Sequence, residues 1–334
     1  MAGIIQAFRK VYHPLGFTKA YNFILWFIFC GGLFGFVLAR LEFLNFNGIY
    51  CNPFIPNTAG PAQCYGWNKR DLYLVGIKLH LYCVLPAATL ACFQFTPIIR
   101  HKVLLFHRIN GYIILLLALP AIAGAIMIAP VSVGGDLATQ GVIGVNAIMF
   151  LVSLALAYYN VKRLQIEQHR AWMLRGWFYA GAIITTRLIA FPTISIISVS
   201  KDSIRPYYVS MPCDELTYMF FGNITALVAA HPECSDPNAW AAVLGDLSAT
   251  TLDQITAAFY ATFANSWWLA LTIHAIGVEI YLHLTPAEAE RLRNISYQRQ
   301  LEAGFKDPGR AGTTADGLGD AVPWIPSETK SEQT

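Results

Sequence analysis

The chain has 334 residues, of which 55% are hydrophobic and only 13% are charged, and its formal net charge at pH 7 is +3. Soluble domains carry about 25% charged residues, so the composition excludes an ordinary soluble enzyme and favours a membrane protein. Lysine and arginine flank the apolar runs and form no patch with interleaved aromatic residues, which argues against binding to nucleic acid.

Six apolar runs approach the length that crosses a bilayer core, about 20 residues. We therefore predict an all-α fold, a polytopic membrane helix bundle whose partner is the lipid bilayer. A basic arm at 1–19 precedes the transmembrane domain at 20–284, and a charged tail at 285–334 follows it, largely disordered after 303. The predicted spans are 20–39, 72–95, 109–129, 141–159, 176–199 and 259–284, and the longer loops are 40–71, 130–140 and 200–256.

Two short basic loops predict the orientation of the bundle. The stretch QFTPIIRHKVLLFHRINGY, residues 94–112, gathers arginine, lysine and histidine between two apolar runs, and VKRLQIEQHRAWMLR, residues 161–175, does the same. Short loops rich in arginine and lysine face the cytoplasm. We expect both termini to be cytoplasmic and the longer loops to be lumenal, in a multi-pass protein of the endoplasmic reticulum or another endomembrane.

Four of the seven cysteines fall in the long lumenal loops, two in each loop. Because a lumenal compartment permits disulfides, we predict the bonds Cys51–Cys64 and Cys213–Cys234. The loop 200–256, which contains Cys213 and Cys234, also contains the sequon that begins at Asn223, where we predict glycosylation.

Several ionisable side chains fall within spans, where each costs about 2.5–3.5 kcal/mol on insertion scales. Arg187 lies near the middle of the fifth span, and Glu279 is the only carboxylate within a span, so we predict that these two pair. The pair is either a structural contact or part of a site. Lys78, His80 and His274 are the other candidates, and we expect the intramembrane groups to surround one interior pocket.

The histidines allow an alternative, a haem- or metal-binding redox protein of the cytochrome b type. A haem b site of this type needs two histidines at matching depth on facing helices, and His80 and His274 differ in depth by roughly 9 Å at 1.5 Å per residue. His107, His169 and His283 lie near the cytoplasmic surface and offer another pair. A transporter or sensor is a third possibility. Our main expectation includes no cofactor and no metal.

Four segments resemble a known family. The helix around His80, the run QFTPIIRHKVLLFHRINGY, the run EQHRAWMLRGW and the TTRL around Arg187 are similar to small polytopic membrane proteins of unknown function from bacteria and fungi. The resemblance covers about residues 76–190. The tail resembles fungal members, and among these the chain looks like the membrane-bound terpene cyclases of ascofuranone- and ascochlorin-type meroterpenoid pathways. This implies an isomerase that cyclises an epoxidised farnesyl-phenol, a prenylated aromatic substrate.

Opening an epoxide to form a ring requires a proton donor and a site that excludes water. Glu279 can serve as the acid if burial keeps it protonated, but if it pairs with Arg187 then Asp136 or Asp71 is the better candidate. His80 or His274 could take the final proton or hold the phenol. The further candidates for contact with the substrate are Tyr82, His107, Trp177, Trp267 and Trp268.

Overall fold

The computed structural model describes residues 9–52, 59–60, 62–200 and 205–326. Parts of the predicted basic arm, of two lumenal loops and of the tail therefore lie outside the described residues. The chain divides into two compact units, which are described separately below. Unit 1 comprises Met1–Ile143 with Thr186–Ser266, and unit 2 comprises Gly144–Thr185 with Trp267–Thr334.

The structure is built from long apolar helices, as predicted. In chain order they are α1 (Ala20–Leu38), α2 (Asp71–Gln94), α3 (Leu104–Ile128), α4 (Leu137–Lys162), α5 (Ile166–Ser200), α6 (Leu252–His283) and α7 (Pro286–Glu302). Among the described residues, α1 to α5 are each long and apolar enough to cross a membrane, and α6 with α7 forms a sixth candidate that is bent by 70°. The predicted class, an all-α polytopic bundle, is confirmed.

The surface of these helices is suited to lipid. Large apolar side chains such as Phe27, Leu116 and Leu188 are 64%, 72% and 71% exposed. A soluble monomer rarely exposes apolar area on this scale, so the helices are placed to face hydrocarbon.

The second basic loop is shorter than the sequence suggests. The predicted loop 161–175 is mostly helical, because α5 already begins at Ile166. With 35 residues, α5 extends about 52 Å, well beyond a hydrocarbon core of about 30 Å. Arg170 and Arg175 therefore lie on a continuation of the span.

In unit 1, α2 and α3 pack at very close range, and glycine makes this possible. A Cβ placed on Gly124 would lie 2.5 Å from the Gly76 carbonyl oxygen and 2.7 Å from the His80 nitrogen. The helices are also joined by a hydrogen bond from Asn110 Nδ2 to the Leu90 carbonyl oxygen, at 3.0 Å. This contact fixes the backbone that carries His80.

The predicted lumenal loop 200–256 contains a small folded module in unit 1. Strand β1 (Tyr208–Pro212) pairs antiparallel with β2 (Trp240–Leu244), and the helices Cys213–Met219 and Ile224–Ala230 lie between them in the chain. A buried cluster that includes Met211, Leu216, Leu227 and Val243 forms its core. The predicted disulfides Cys213–Cys234, in this module, and Cys51–Cys64 are both present.

In unit 2, residues 303–326 of the tail form a folded segment, where the sequence predicts disorder after residue 303. Buried Asn160 bonds the Thr313 backbone N–H and hydroxyl at 2.9 Å each, and buried Gln300 donates to Gln165 Oε1 at 2.9 Å. Asp316 accepts bonds from Arg293 and from the Trp324 backbone N–H. These polar groups find partners only when the tail docks, which is why polar composition misled the prediction.

Candidate functional site

Glu279 has a different partner from the one predicted. Its carboxylate is bound by both arms of the Arg175 guanidinium, with Nε–Oε1 and Nη2–Oε2 distances of 2.6 and 2.9 Å. Arg175 also lies over the Trp172 ring, 4.5 Å from its centroid. A bidentate pair of this kind stabilises the ionised carboxylate, so Glu279 is poorly placed to donate a proton. The predicted contact of Glu279 with Arg187, which belongs to unit 1, stays a prediction.

Asp136, the second candidate acid, caps the start of α4. Its two carboxylate oxygens accept hydrogen bonds from the Thr139 backbone N–H at 2.8 Å and from the Thr139 hydroxyl at 3.0 Å. The side chain is exposed. Asp136 therefore serves as the N-cap of α4, which is a structural role.

The histidines are anchored by backbone carbonyl groups. His80 Nδ1 lies 2.8 Å from the Ala121 carbonyl oxygen, and His169 Nδ1 lies 2.9 Å from that of Ala157. In unit 2, His274 Nδ1 bonds the Phe178 carbonyl oxygen while its Nε2 faces the Thr185 hydroxyl, each at 2.7 Å. The Thr185 hydroxyl is therefore hydrogen-bonded to Nε2, the nitrogen with which His274 would bind a haem iron.

The predicted aromatic contacts are spread over both units. In unit 1, Tyr82 is partly exposed and donates to the Leu44 carbonyl oxygen at 3.1 Å, and His107 is half-buried. In unit 2, Trp177 packs edge-on against Phe150, Trp267 is half-buried and Trp268 is exposed. The prediction of one interior pocket shared by the intramembrane groups stays a prediction.

Arg187 belongs to a cluster of cations and aromatic rings within unit 1. Its guanidinium lies 4.9 Å from the Phe36 ring centroid, and the Arg40 guanidinium lies 5.1 Å from the same ring. Arg40 also faces Phe43 at 5.2 Å. Because Phe36 contacts both guanidinium groups, two positive charges are held close together near the end of α1.

The cluster continues through four buried rings. Phe43 stacks on Tyr50 at 4.3 Å, Tyr50 lies 5.1 Å from Trp67, and Phe46 contacts both Tyr50 and Trp67. Lys78 adds a third cation, 5.1 Å from the Phe46 centroid. We call this set the cation–aromatic cluster, and it consists of Phe36, Arg40, Phe43, Phe46, Tyr50, Trp67, Lys78 and Arg187.

A second constellation, which we call the acid pair, consists of Asp214 and Glu215 at the start of the helix Cys213–Met219. Asp214 accepts hydrogen bonds from the Tyr65 hydroxyl at 2.5 Å and from Lys69 Nζ at 2.9 Å. Glu215 Oε1 accepts a bond from the Tyr260 hydroxyl at 2.8 Å. Neighbouring carboxyls thus have separate environments.

The two environments shift the carboxyl pKa values in opposite directions. Partial burial opposes ionisation of Asp214, but the bonds from Tyr65 and Lys69 outweigh it and lower its pKa. Burial raises the pKa of Glu215, and the adjacent Asp214 charge raises it further, against the opposing bond from Tyr260. Asp214 is therefore the stronger acid of the two carboxyls, and Glu215 is the weaker acid.

The short helix Gln63–Asn68 connects the two constellations. Its Trp67 packs into the cation–aromatic cluster, and its Tyr65 bonds Asp214. The disulfide from Cys64 to Cys51 ties this helix to the residue after Tyr50. Sequence analysis missed the acid pair, although two adjacent acidic residues directly after a predicted disulfide cysteine are a signal in a chain with so few charges.

Two smaller predictions can be placed on the structure. Asn223 is exposed, and its side-chain oxygen caps the helix Ile224–Ala230 by accepting from the Ala226 N–H at 3.1 Å. Glycosylation there stays a prediction. Within the described part of the chain, no three histidine, cysteine or acidic side chains are grouped as metal ligands.

The long apolar helices and their exposed apolar surface define a multi-pass membrane protein whose environment is the lipid bilayer. A family model described as "Predicted membrane protein (DUF2306)" matches residues 77–213, from α2 to the start of the Cys213 helix. The chain is similar to that family over this region, which includes Lys78, His80 and Arg187. No curated protein and no solved structure matches the chain.

Proposed function

We propose that this chain is a membrane-bound terpene cyclase, an isomerase that opens the epoxide of a farnesylated phenol and closes a ring. The observation that carries the proposal is the acid pair, in which Asp214 accepts bonds from Tyr65 and Lys69 while the half-buried Glu215 accepts a bond from Tyr260. Neighbouring carboxyls whose environments push their pKa values apart are typical of acid–base sites.

In this reaction the Glu215 carboxyl donates its proton to the epoxide oxygen as one epoxide C–O bond breaks. An olefin or an oxygen of the same molecule supplies the electron pair that forms the ring bond to the electron-deficient carbon. The proton released on completing the product passes to the Asp214 carboxylate and returns to Glu215 through solvent. Substrate and product have the same atoms, as an isomerase requires.

The position of Tyr260 supports access from the bilayer. Tyr260 lies eight residues into α6, about 12 Å along the helix, and it bonds Glu215 directly. A farnesyl chain dissolved in the membrane could therefore present its terminal epoxide at the end of this helix. We place the acid pair at the lumenal surface of the endoplasmic reticulum or another endomembrane, where the disulfides are stable.

The test uses purified protein in lipid nanodiscs with a farnesyl-phenol epoxide. We expect a product of unchanged mass and altered retention, and we expect Glu215→Gln to lower turnover by at least 100-fold, since general acids contribute about 10²–10⁴-fold. Glu233→Gln is the matched control, because Glu233 is an exposed carboxylate of the same lumenal module. Absence of any isomer from the unaltered protein would refute the cyclase.

The redox alternative gives a separate readout on the same sample. A haem b protein would show a Soret band that disappears on substitution of a ligating histidine, with His80 and His169 the first to test because their Nδ1 atoms bond backbone carbonyls, as ligating histidines commonly do. If the protein is the proposed cyclase, we expect the isomer product whether or not a Soret band is present.

A further inference from the structure

In unit 1, residues 9–19 dock on the short helix Pro97–Lys102, which follows α2. The Ile98 backbone N–H donates to the Leu15 carbonyl oxygen at 3.0 Å. Gly16 has a φ of +87°, and a Cβ added to it would lie 2.9 Å from the Ile98 nitrogen. Because glycine adopts this backbone conformation without strain and has no Cβ, it allows the two segments to come into close contact.

These segments and the start of α3 carry positive charge that no ion pair offsets. Five exposed cations, which we call the basic face, belong to this end of the unit: Arg9, Lys10, Lys19, Lys102 and Arg108. Within the described residues, none of the five lies within salt-bridge distance of a carboxylate. Residues 1–41 and 72–135, which include α1, α2 and α3, contain no aspartate or glutamate. The basic face is therefore suited to an anionic ligand.

The basic face adjoins an apolar stripe on α3. Leu105, Ile109, Tyr112 and Leu116 are 69%, 52%, 52% and 72% exposed. Residues three and four apart are neighbours on one face of a helix, so these side chains form a continuous surface for hydrocarbon. Arg108, in the second turn of α3, is three residues from Leu105 and four from Tyr112. It therefore lies where the apolar stripe meets the basic face.

The apolar residues beside the cations decide which anion fits. Val11 and Val103 directly follow Lys10 and Lys102 in the chain, and they are 55% and 51% exposed. A soluble acidic partner would neutralise the charge and leave these side chains in water. An anionic phospholipid offers both a phosphate, which accepts hydrogen bonds from ammonium and guanidinium groups, and acyl chains that cover apolar surface. Clusters of lysine and arginine beside spans attract such lipids.

We propose that the basic face binds the headgroups of anionic phospholipids, whose acyl chains lie along the apolar stripe of α3. The site is separate from the acid pair. The basic face follows α2, whereas the acid pair contacts Tyr65 of the helix that precedes α2. Because α2 has 24 residues and extends about 36 Å, the two sites lie at its opposite ends, and lipid binding is independent of the proposed cyclase.

The test counts the lipids bound to the full-length chain in detergent micelles by native mass spectrometry. The chain is titrated with palmitoyl-oleoyl phosphatidylserine and, separately, with phosphatidylcholine of the same acyl chains. We expect the first phosphatidylserine to bind about tenfold more tightly. The double variant Lys102→Gln, Arg108→Gln should lower this preference at least several-fold, since each cation near an anionic surface strengthens binding about fivefold. Arg70→Gln, Arg205→Gln is the matched control, because it removes the same charge at exposed positions outside the basic face.

Two further variants test whether segment 9–19 belongs to the same surface. Arg9→Gln, Lys10→Gln removes its charge, whereas Gly16→Ala keeps every charge and places a Cβ against the Ile98 nitrogen. Both should lower phosphatidylserine affinity several-fold and leave phosphatidylcholine binding unchanged. The unfolding temperature in detergent without lipid shows that each variant is folded.

The proposal is overturned if the two lipids bind equally, or if the control variant lowers the preference as much as Lys102→Gln, Arg108→Gln does, since net charge alone would then account for binding. It is also overturned if glycerophosphoserine, the same headgroup without acyl chains, displaces the lipid at equal concentration, because the site would then hold a soluble anion. Unchanged phosphatidylserine affinity in both variants of segment 9–19 would refute a surface shared by the two segments.

Discussion

The close contact of α2 and α3 can be tested by adding a single methyl group. In Gly124→Ala the new Cβ would lie 2.5 Å from the Gly76 carbonyl oxygen and 2.7 Å from the His80 nitrogen, whereas ordinary contact begins at 3.4 Å. Both neighbours are backbone atoms, so the helices must separate by roughly 0.9 Å, and a gap of that size forfeits a quarter to a half of each dispersion contact. We expect a loss of about 1–3 kcal/mol.

The assay is thermal unfolding in detergent, with Gly32→Ala as the matched control. Gly32 lies within α1 and has nothing within 4 Å of an added Cβ, so alanine there gains up to about 1 kcal/mol of helix propensity without a clash. At about 2–4 °C per kcal/mol, Gly124→Ala should unfold several degrees below the unaltered protein, and Gly32→Ala at or above it. If both variants unfold at the same temperature, the reasoning about helix approach is wrong.

Three further predictions concern the acid pair, the Cys213–Cys234 disulfide of the small folded module, and the tail. Burial raises the pKa of Glu215, so the folded chain keeps a proton that the unfolded chain releases above about pH 4.3. Stability should therefore fall as pH rises through the folded-state pKa, and Glu215→Gln should remove this fall in unfolding curves from pH 4 to 8. A Cys213→Ala, Cys234→Ala double variant should lose about 3 kcal/mol, and an equal unfolding temperature with and without both cysteines would contradict this. Asn160→Leu leaves the half-buried Thr313 N–H without its acceptor, so trypsin should cleave the tail sooner than in the unaltered protein, and unchanged cleavage would show that docking does not depend on this bond.

The reassignment of Glu279 shows where reasoning from the sequence reached its limit. Apolar runs place Glu279 and Arg187 inside spans. Knowing only the spans, we paired Glu279, the intramembrane carboxylate, with Arg187, the most central cation. In the structure the Glu279 carboxylate binds Arg175, a residue that the sequence analysis had assigned to a loop. The sequence analysis did not offer Arg175 as a partner because the start of α5 depends on tertiary contacts, such as the bond from the Ile166 N–H to Ser296.

The acid pair was missed for a related reason. Asp214, Tyr65 and Tyr260 are far apart in the chain, and only the packing of the folded module that contains β1 and β2 brings them together. Partial burial is what raises the pKa of Glu215, and a helix of seven residues is too short to show a periodic pattern that would reveal it in the sequence. The polar residues of the tail predict disorder for a similar reason. Their hydrogen-bond partners lie far away in the chain and cannot be identified from the sequence.

The sequence by itself determined the membrane character, the helical class and the two disulfides, because hydrophobic length, charge spacing and cysteine placement are local properties of the chain. Only the tertiary structure decided which charges meet, which carboxyl is buried and which rings surround Arg40 and Arg187. Those features depend on contacts between residues distant in the chain, and no local pattern encodes them.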